Sequence, residues 1–164
     1  MMTVAFLDTP GRVGYDNLIL SPERLFVAYK SLLLEKEGRL AVITLNRPQE
    51  GNALSGELAQ ELTEAAAQVG QDDGVWVVVL AAAGEAFCTG GDSPGAVAAV
   101  AAIGQPVLAA IQGDALGMGL ALACAGDLRL AAPGARLGVP AFPAPPAGLT
   151  QRLPRLVGRG RALE

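Results

Sequence analysis

The chain contains no histidine. That absence removes Ser-His and Cys-His nucleophilic systems, histidine metal ligands and the imidazole general base together. Any chemistry must use carboxylates, hydroxyls, lysine or the backbone. Cysteine is scarce as well. Cys88 and Cys124 lie among small or apolar neighbours without the spacing of a metal site or a redox motif, and read as reduced core thiols of a cytoplasmic protein. Charged residues make up 17% of the chain and the net charge is −4, so the basic footprint needed for nucleic-acid phosphates is missing and no nucleic-acid partner is expected. Uninterrupted apolar runs are also short: Ala96 to Ala125 is broken by Gln105-Pro106, Gln112 and Asp114. With no basic segment leading into an apolar one near Met1, neither a signal peptide nor a membrane partner is expected.

What is present is apolar bulk. The 164 residues are 51% hydrophobic, enough for one domain with a real core and too few for two. Residues 1–31 read as an N-terminal extension, with turn signals at Thr9-Pro10-Gly11 and Ser21-Pro22 and a short helix capped by Ser21 that carries Leu25, Phe26 and Tyr29. Residues 32–164 read as the core. Leu32-Leu33-Leu34 and Leu40 to Leu45 flank a polar Glu35-Lys36-Glu37-Gly38 turn, which predicts a hairpin. Asn46-Arg47-Pro48 stops the second strand. Leu58, Leu62, Ala65, Ala66 and Val69 recur at helical spacing, predicting a helix from Ser55 to Val69 with Glu57, Gln60, Glu61 and Glu64 outside.

Val75 to Ala81 is a β-branched apolar run, predicted as a central strand covered on both faces. Strand, helix, strand implies a right-handed crossover. A helix from Ala96 to Ile103, a strand over Val107 to Ile111, a small-residue helix from Leu120 to Ala125 and a strand over Asp127 to Ala131 follow. Pro140 to Pro146 is too rich in proline for regular structure, and Gln151 to Glu164 has a basic, helical pattern.

Two strand-to-helix junctions carry close-set glycines: Gly90-Gly91, within Phe87-Cys88-Thr89-Gly90-Gly91-Asp92, and Gly117-Met118-Gly119. Each leaves unpaired N–H groups at a helix start, where the helix dipole favours negative charge. A single glycine turn is usually only a turn. Two in succession suggest a backbone anion hole.

These junctions and their surroundings resemble the crotonase family, also called the enoyl-CoA hydratase/isomerase superfamily. The resemblance is carried, in the family's order, by Ile43-Thr44-Leu45-Asn46-Arg47-Pro48, Asn52-Ala53-Leu54, Phe87 to Asp92, Gln105 to Gly113, Ala115 to Gly119, Cys124 to Asp127, and Gly148-Leu149-Thr150-Gln151-Arg152-Leu153. It implies an α/β fold, a crotonase-like spiral of ββα units, in a short member whose C-terminal helical region would lie beyond Glu164. It also implies binding of an acyl-CoA or acyl-carrier-protein thioester as substrate, no permanently bound cofactor or metal, and a homotrimer or hexamer.

By position, the backbone N–H groups of Gly91 and Met118 would hold the thioester oxygen as it becomes an enolate, and the Met118 side chain would narrow the acyl pocket. Gly51, Ala53, Leu54, Thr89, Gly90, Asp92, Gly117, Ala121 and Ala141 would line the substrate and coenzyme path. Ala121 and Ala141 stand where hydratases of the family carry two glutamates, and alanine transfers no proton. The resemblance therefore favours isomerisation, decarboxylation or a lyase reaction over hydration, with a non-catalytic crotonase-like partner or oligomer subunit as the alternative. Asp114 is the candidate carboxylate that could replace the missing glutamates. Asp92 is expected to bond loop N–H groups, and Asp127 to be structural.

Overall fold

The computed structural model describes residues 24–140 and 148–162. Its frame is a six-stranded sheet in the order β1-β2-β3-β4-β5-β7, formed by β1 (Arg24–Ala28), β2 (Leu32–Glu37), β3 (Leu40–Leu45), β4 (Val77–Ala82), β5 (Val107–Ile111) and β7 (Leu128–Ala131). The first three strands pair antiparallel and the rest parallel, which requires a crossover between each successive pair. Helices α1 (Gly56–Gly70), α2 (Pro94–Ala101) and α3 (Met118–Ala123) supply those crossovers. Two short strands, β6 (Ala115–Leu116) and β8 (Leu137–Gly138), form a second parallel ladder. Helices α4 (Leu149–Val157) and α5 (Arg159–Ala162) follow, separated by Gly158.

The chain winds as a spiral. After each main-sheet strand from β3 to β7 it touches a second ladder and then enters a helix. Leu54 bridges to Gly91 before α1, Cys88 bridges to Ala115 before α2, and β6 pairs with β8 before α3 and α4. The two glycine turns thereby become the ladder-to-helix corners of consecutive windings, which is why residues about 27 apart in sequence are neighbours in space.

Burial alternates along the strands. Ala41, Ile43 and Leu45 of β3, Val78 and Leu80 of β4, and Val107, Ala109 and Ile111 of β5 belong to the core. Leu58, Leu62, Ala65 and Val69 of α1 and Ala96, Val97 and Val100 of α2 join them there, at the spacing anticipated for α1. Each fully buried Leu or Val contributes about 1.5–3 kcal/mol. The opposite face of the sheet is not covered by described residues: Val42, Val79 and Leu108 are half-buried, and Leu128 and Leu130 are exposed. The expectation of a β4 covered on both faces is corrected accordingly. A continuous valine run is equally apolar on its two sides and does not reveal how many are covered.

Three local expectations also change. The anticipated helix on Leu25, Phe26 and Tyr29 is the edge strand β1, so the sheet begins inside the segment read as an extension. The β-prone stretch Leu25-Phe26-Val27 gains a ladder beside β2 that an isolated short helix could not match. The hairpin turn is Gly38-Arg39, with Glu35 and Lys36 inside β2, because Gly38 at φ +58 suits a two-residue loop. Past the hairpin, Trp76 leaves the core and stacks under the Arg39 guanidinium, 3.4 Å from the ring centroid. The helical pattern read from Gln151 starts earlier, at Leu149, and is broken at Gly158, where φ is +82. Among the described residues, no helix is long and apolar enough to cross a membrane.

Candidate active site

The first glycine turn is stitched to the loop before α1. Thr89 donates from its N–H (2.9 Å) and its Oγ1 (3.2 Å) to the Gly51 carbonyl, and the Leu54 N–H donates to the Gly90 carbonyl at 3.0 Å. Gly51, Leu54, Thr89, Gly90 and Gly91 are therefore one local unit. Ala53 is half-buried within it, its N–H donating to the Glu50 carbonyl at 3.2 Å. Gly91 has φ +125, and a Cβ there would lie 2.6 Å from the Leu54 carbonyl oxygen, so only glycine fits both the conformation and the space.

The second turn lies directly beside the first. The Cys88 N–H donates to the Asp114 carbonyl and the Leu116 N–H to the Cys88 carbonyl, both at 2.9 Å. At Gly119 a Cβ would fall 1.9 Å from the Cys88 carbonyl oxygen, so the start of α3 rests against the backbone leading into the first turn. Gly117, with φ +55 and ψ −112, makes the corner into α3. Met118 follows as the first helical residue, its side chain buried in the core.

Among the described residues, neither the Gly91 N–H nor the Met118 N–H has a hydrogen-bond acceptor. Gly91 is exposed and Met118 begins a helix, so both donors belong to backbone that the fold leaves unpaired. Donors of this kind can hydrogen-bond an oxygen as it gains charge.

Candidate proton carriers are sparse around these turns. Ala121, one helical turn after Met118, is fully buried. Ala141 lies outside the described residues. The Asp114 carboxylate forms a two-pronged ion pair with Arg136, whose Nε donates at 2.8 Å while Nη2 donates to the other oxygen. The guanidinium holds the Asp114 carboxyl below its usual range, which suits an ion-pairing role better than proton transfer near neutral pH. Asp92 is exposed and accepts from Ser93 Oγ at 3.4 Å; among the described residues it binds no loop N–H, contrary to expectation.

Asp127 accepts from the Val107 N–H at 2.8 Å and ties β7 to β5, in keeping with a structural role. The two thiols are free and buried, and burial pushes both upward from their ordinary pKa. No described group of three or more cysteine, aspartate or glutamate side chains is placed to hold a metal ion.

In the sequence, the two carboxamides behind the first turn, Asn52 and Gln112, are legible only as parts of the family motifs and not in the role they take here. Asn52 is fully buried, and its Nδ2 donates to the carbonyls of Ala83 (2.9 Å) and Ala86 (2.8 Å). Gln112 Nε2 reaches the same Ala86 carbonyl at 3.1 Å, together with those of Ala82 and Gly84. The available signal was a Gly51-Asn52 pair in a loop, since asparagine tolerates the left-handed region where Asn52 lies, at φ +52.

Comparison with known proteins gives the family and the fold. The family profile of enoyl-CoA hydratase/isomerase matches residues 35–102 and 96–164. The chain is 37% identical to crotonyl-CoA hydratase of Syntrophomonas wolfei, over 83% of this chain and 61% of that protein. It is 41% identical to (E)-benzylidenesuccinyl-CoA hydratase of Thauera aromatica, over 80% and 59% respectively. Among solved structures, enoyl-CoA hydratase from Bacillus anthracis superposes with a TM-score of 0.76 at 37% identity, covering 81% of this chain and 60% of that one. A monofunctional enoyl-CoA isomerase from M. smegmatis also gives 0.76, at 35% identity, covering 82% and 66%. The chain thus spans about 60% of the length of the curated relatives it matches. With its spiral of ββα units and this match across both glycine turns, the chain belongs to the enoyl-CoA hydratase/isomerase family.

Proposed function

We propose that the chain binds an acyl thioester, of coenzyme A or of an acyl carrier protein, and stabilises its enolate between the backbone N–H groups of Gly91 and Met118. The observation that carries this reading is the pair of unpaired donors on two glycine turns stitched together through Cys88. Enolate formation moves charge onto the thioester oxygen, and fixed dipoles aimed at that oxygen lower the barrier without reorganising during reaction. Losing one such donor is worth about 2.7–4 kcal/mol in transition-state stabilisation. The loop at Gly51, Ala53 and Leu54, with Thr89, Gly90 and Asp92, would flank the coenzyme's path, while Gly117, Ala121 and Ala141 would face the acyl end.

The reaction we favour is one that asks little of side-chain acids and bases. Decarboxylation fits this need, because the C–C bond electrons left by departing CO2 form the enolate directly and water can then protonate the carbon. Isomerisation or a lyase step ranks next. Hydration needs two proton-handling groups, and Ala121 is buried and inert while Asp114 is paired with Arg136. The same features favour a second reading, a non-catalytic partner or oligomer subunit within a homotrimer or hexamer in the cytoplasm. The exposed Leu128 and Leu130 on the uncovered sheet face support assembly.

Isothermal titration of the folded full-length chain with crotonyl-CoA tests the first reading, with saturable one-site binding expected. A folded chain that binds no acyl-CoA overturns it. Turnover of any acyl-CoA that survives stringent purification and disappears in a Gly91 variant would remove the non-catalytic reading.

A further inference from the structure

We infer that Asn52 is a positioning residue for the first thioester-oxygen donor, acting with Gln112 to fix the backbone that presents the Gly91 N–H. This rests on the proposed thioester reading and adds a residue to it. The Asn52 side chain joins three stretches of chain. Its Oδ1 accepts from the Arg47 N–H at 2.8 Å, and its Nδ2 donates to the carbonyls of Ala83 and Ala86. All of this occurs in a side chain with no solvent exposure, and the Arg47 N–H and the Ala83 carbonyl have no other partner among the described residues.

The neighbours of Asn52 carry the same restraint forward. Gly51 accepts both bonds from Thr89, and Leu54 donates to Gly90 and pairs with Gly91. Asn52 therefore grips the segment entering the first turn through its side chain, and the turn itself through the residues on either side of it. Gln112, just after β5, adds a second donor to the Ala86 carbonyl at 3.1 Å. The residue holds φ at +52 to make these bonds, a conformation that asparagine tolerates better than most side chains. Gly91 itself is exposed and its N–H has no acceptor among the described residues, so its direction depends on these outer bonds. A displacement of about 1 Å in such a group is enough to cost about 100-fold in rate.

The test compares the wild-type chain with Asn52→Gly, which keeps the positive φ and removes all three bonds, and with Gln112→Ala. In the ligand-free protein, the Gly91 amide order parameter is expected to fall from about 0.85 to below about 0.6 in Asn52→Gly. It should fall less in Gln112→Ala, which serves as the reporter should Asn52→Gly not fold. With crotonyl-CoA carrying 13C at the thioester carbonyl, Asn52→Gly should lose most of the wild-type downfield shift. Its Kd should change less than about threefold, under 1 kcal/mol.

A lower melting temperature with Gly91 order and the carbonyl shift unchanged would reduce Asn52 to a structural residue and overturn the inference. If wild type binds no crotonyl-CoA while Gly91 still loosens in the variants, the positioning role stands and the thioester reading falls. If binding and the carbonyl shift are present and neither responds to either substitution, the reading stands and the positioning role falls.

Discussion

The two glycine turns offer the same thing, an N–H unpaired among the described residues at the corner into a helix, yet they are held in different ways. The first is open from Thr89 to Asp92, past the fully buried Phe87 and Cys88. Thr89 and Gly91 are exposed, Gly90 and Gly91 have φ of +149 and +125, and the turn is kept in place by hydrogen bonds from outside it. The second, Gly117 to Gly119, is held mainly by burial: Met118, Gly119 and Leu120 are all buried, Gly119 lies against the Cys88 carbonyl, and one outside bond runs from the Gly117 N–H to the Gly138 carbonyl at 2.8 Å. A turn of the first kind can be adjusted by altering distant polar partners, whereas a turn of the second kind moves chiefly with the core.

The contrast can be broken most severely at the buried turn. Gly119→Ala drives a Cβ to 1.9 Å from backbone, which has no rotamer to yield, and is expected to destabilise by about 3 kcal/mol or more in chemical unfolding. Met118→Ala keeps the N–H but empties a core position. It should cost about 2–3 kcal/mol of stability while leaving thioester binding measurable by calorimetry. Gly91→Ala combines a positive φ with a clash against Leu54. It should cost about 1–3 kcal/mol by the same unfolding assay, and lose thioester carbonyl polarisation more completely than Met118→Ala.

The smallest effect belongs to Arg136→Ala. With the guanidinium gone, the Asp114 carboxyl should titrate nearer its ordinary range, read by NMR of the side-chain carboxyl. The sign follows from linkage. A folded pKa held below the unfolded value contributes stability above the unfolded pKa and loses it as pH falls through the folded one. Wild type and variant should therefore differ near neutral pH and converge in acid, and a constant offset down through the acid range would argue against the pair as its source.

Much of the frame was legible from periodicity. The face of α1 made by Leu58, Leu62, Ala65 and Val69 is read correctly because a helix repeats every 3.6 residues and its buried stripe shows in the order of residues. Both glycine turns were visible because glycine is needed where φ is positive. By contrast, β1 was misread as a helix, since five residues carry too little periodicity and its pairing with β2 is a tertiary fact. The roles of Asp92 and Asp114 were likewise illegible. A loop carboxylate takes whichever partner the fold brings near, which for Asp114 is Arg136, 22 residues away.

By itself the sequence determined the chemical repertoire: without histidine, carboxylates, hydroxyls, lysine and the backbone were left, and two glycine turns following apolar strands pointed to the backbone donors. Its alternating apolar runs and helical stripes also determined an α/β succession of strands and helices, while the spiral winding was what the resemblance to the crotonase family implied. Only the tertiary structure decided that the two turns meet through Cys88, that Ala121 is sealed from solvent, and that a buried asparagine stands behind Gly91. These are contacts between residues far apart in the chain. Local pattern carries no record of them, because a hydrogen bond depends on distance and direction in space and not on separation in sequence.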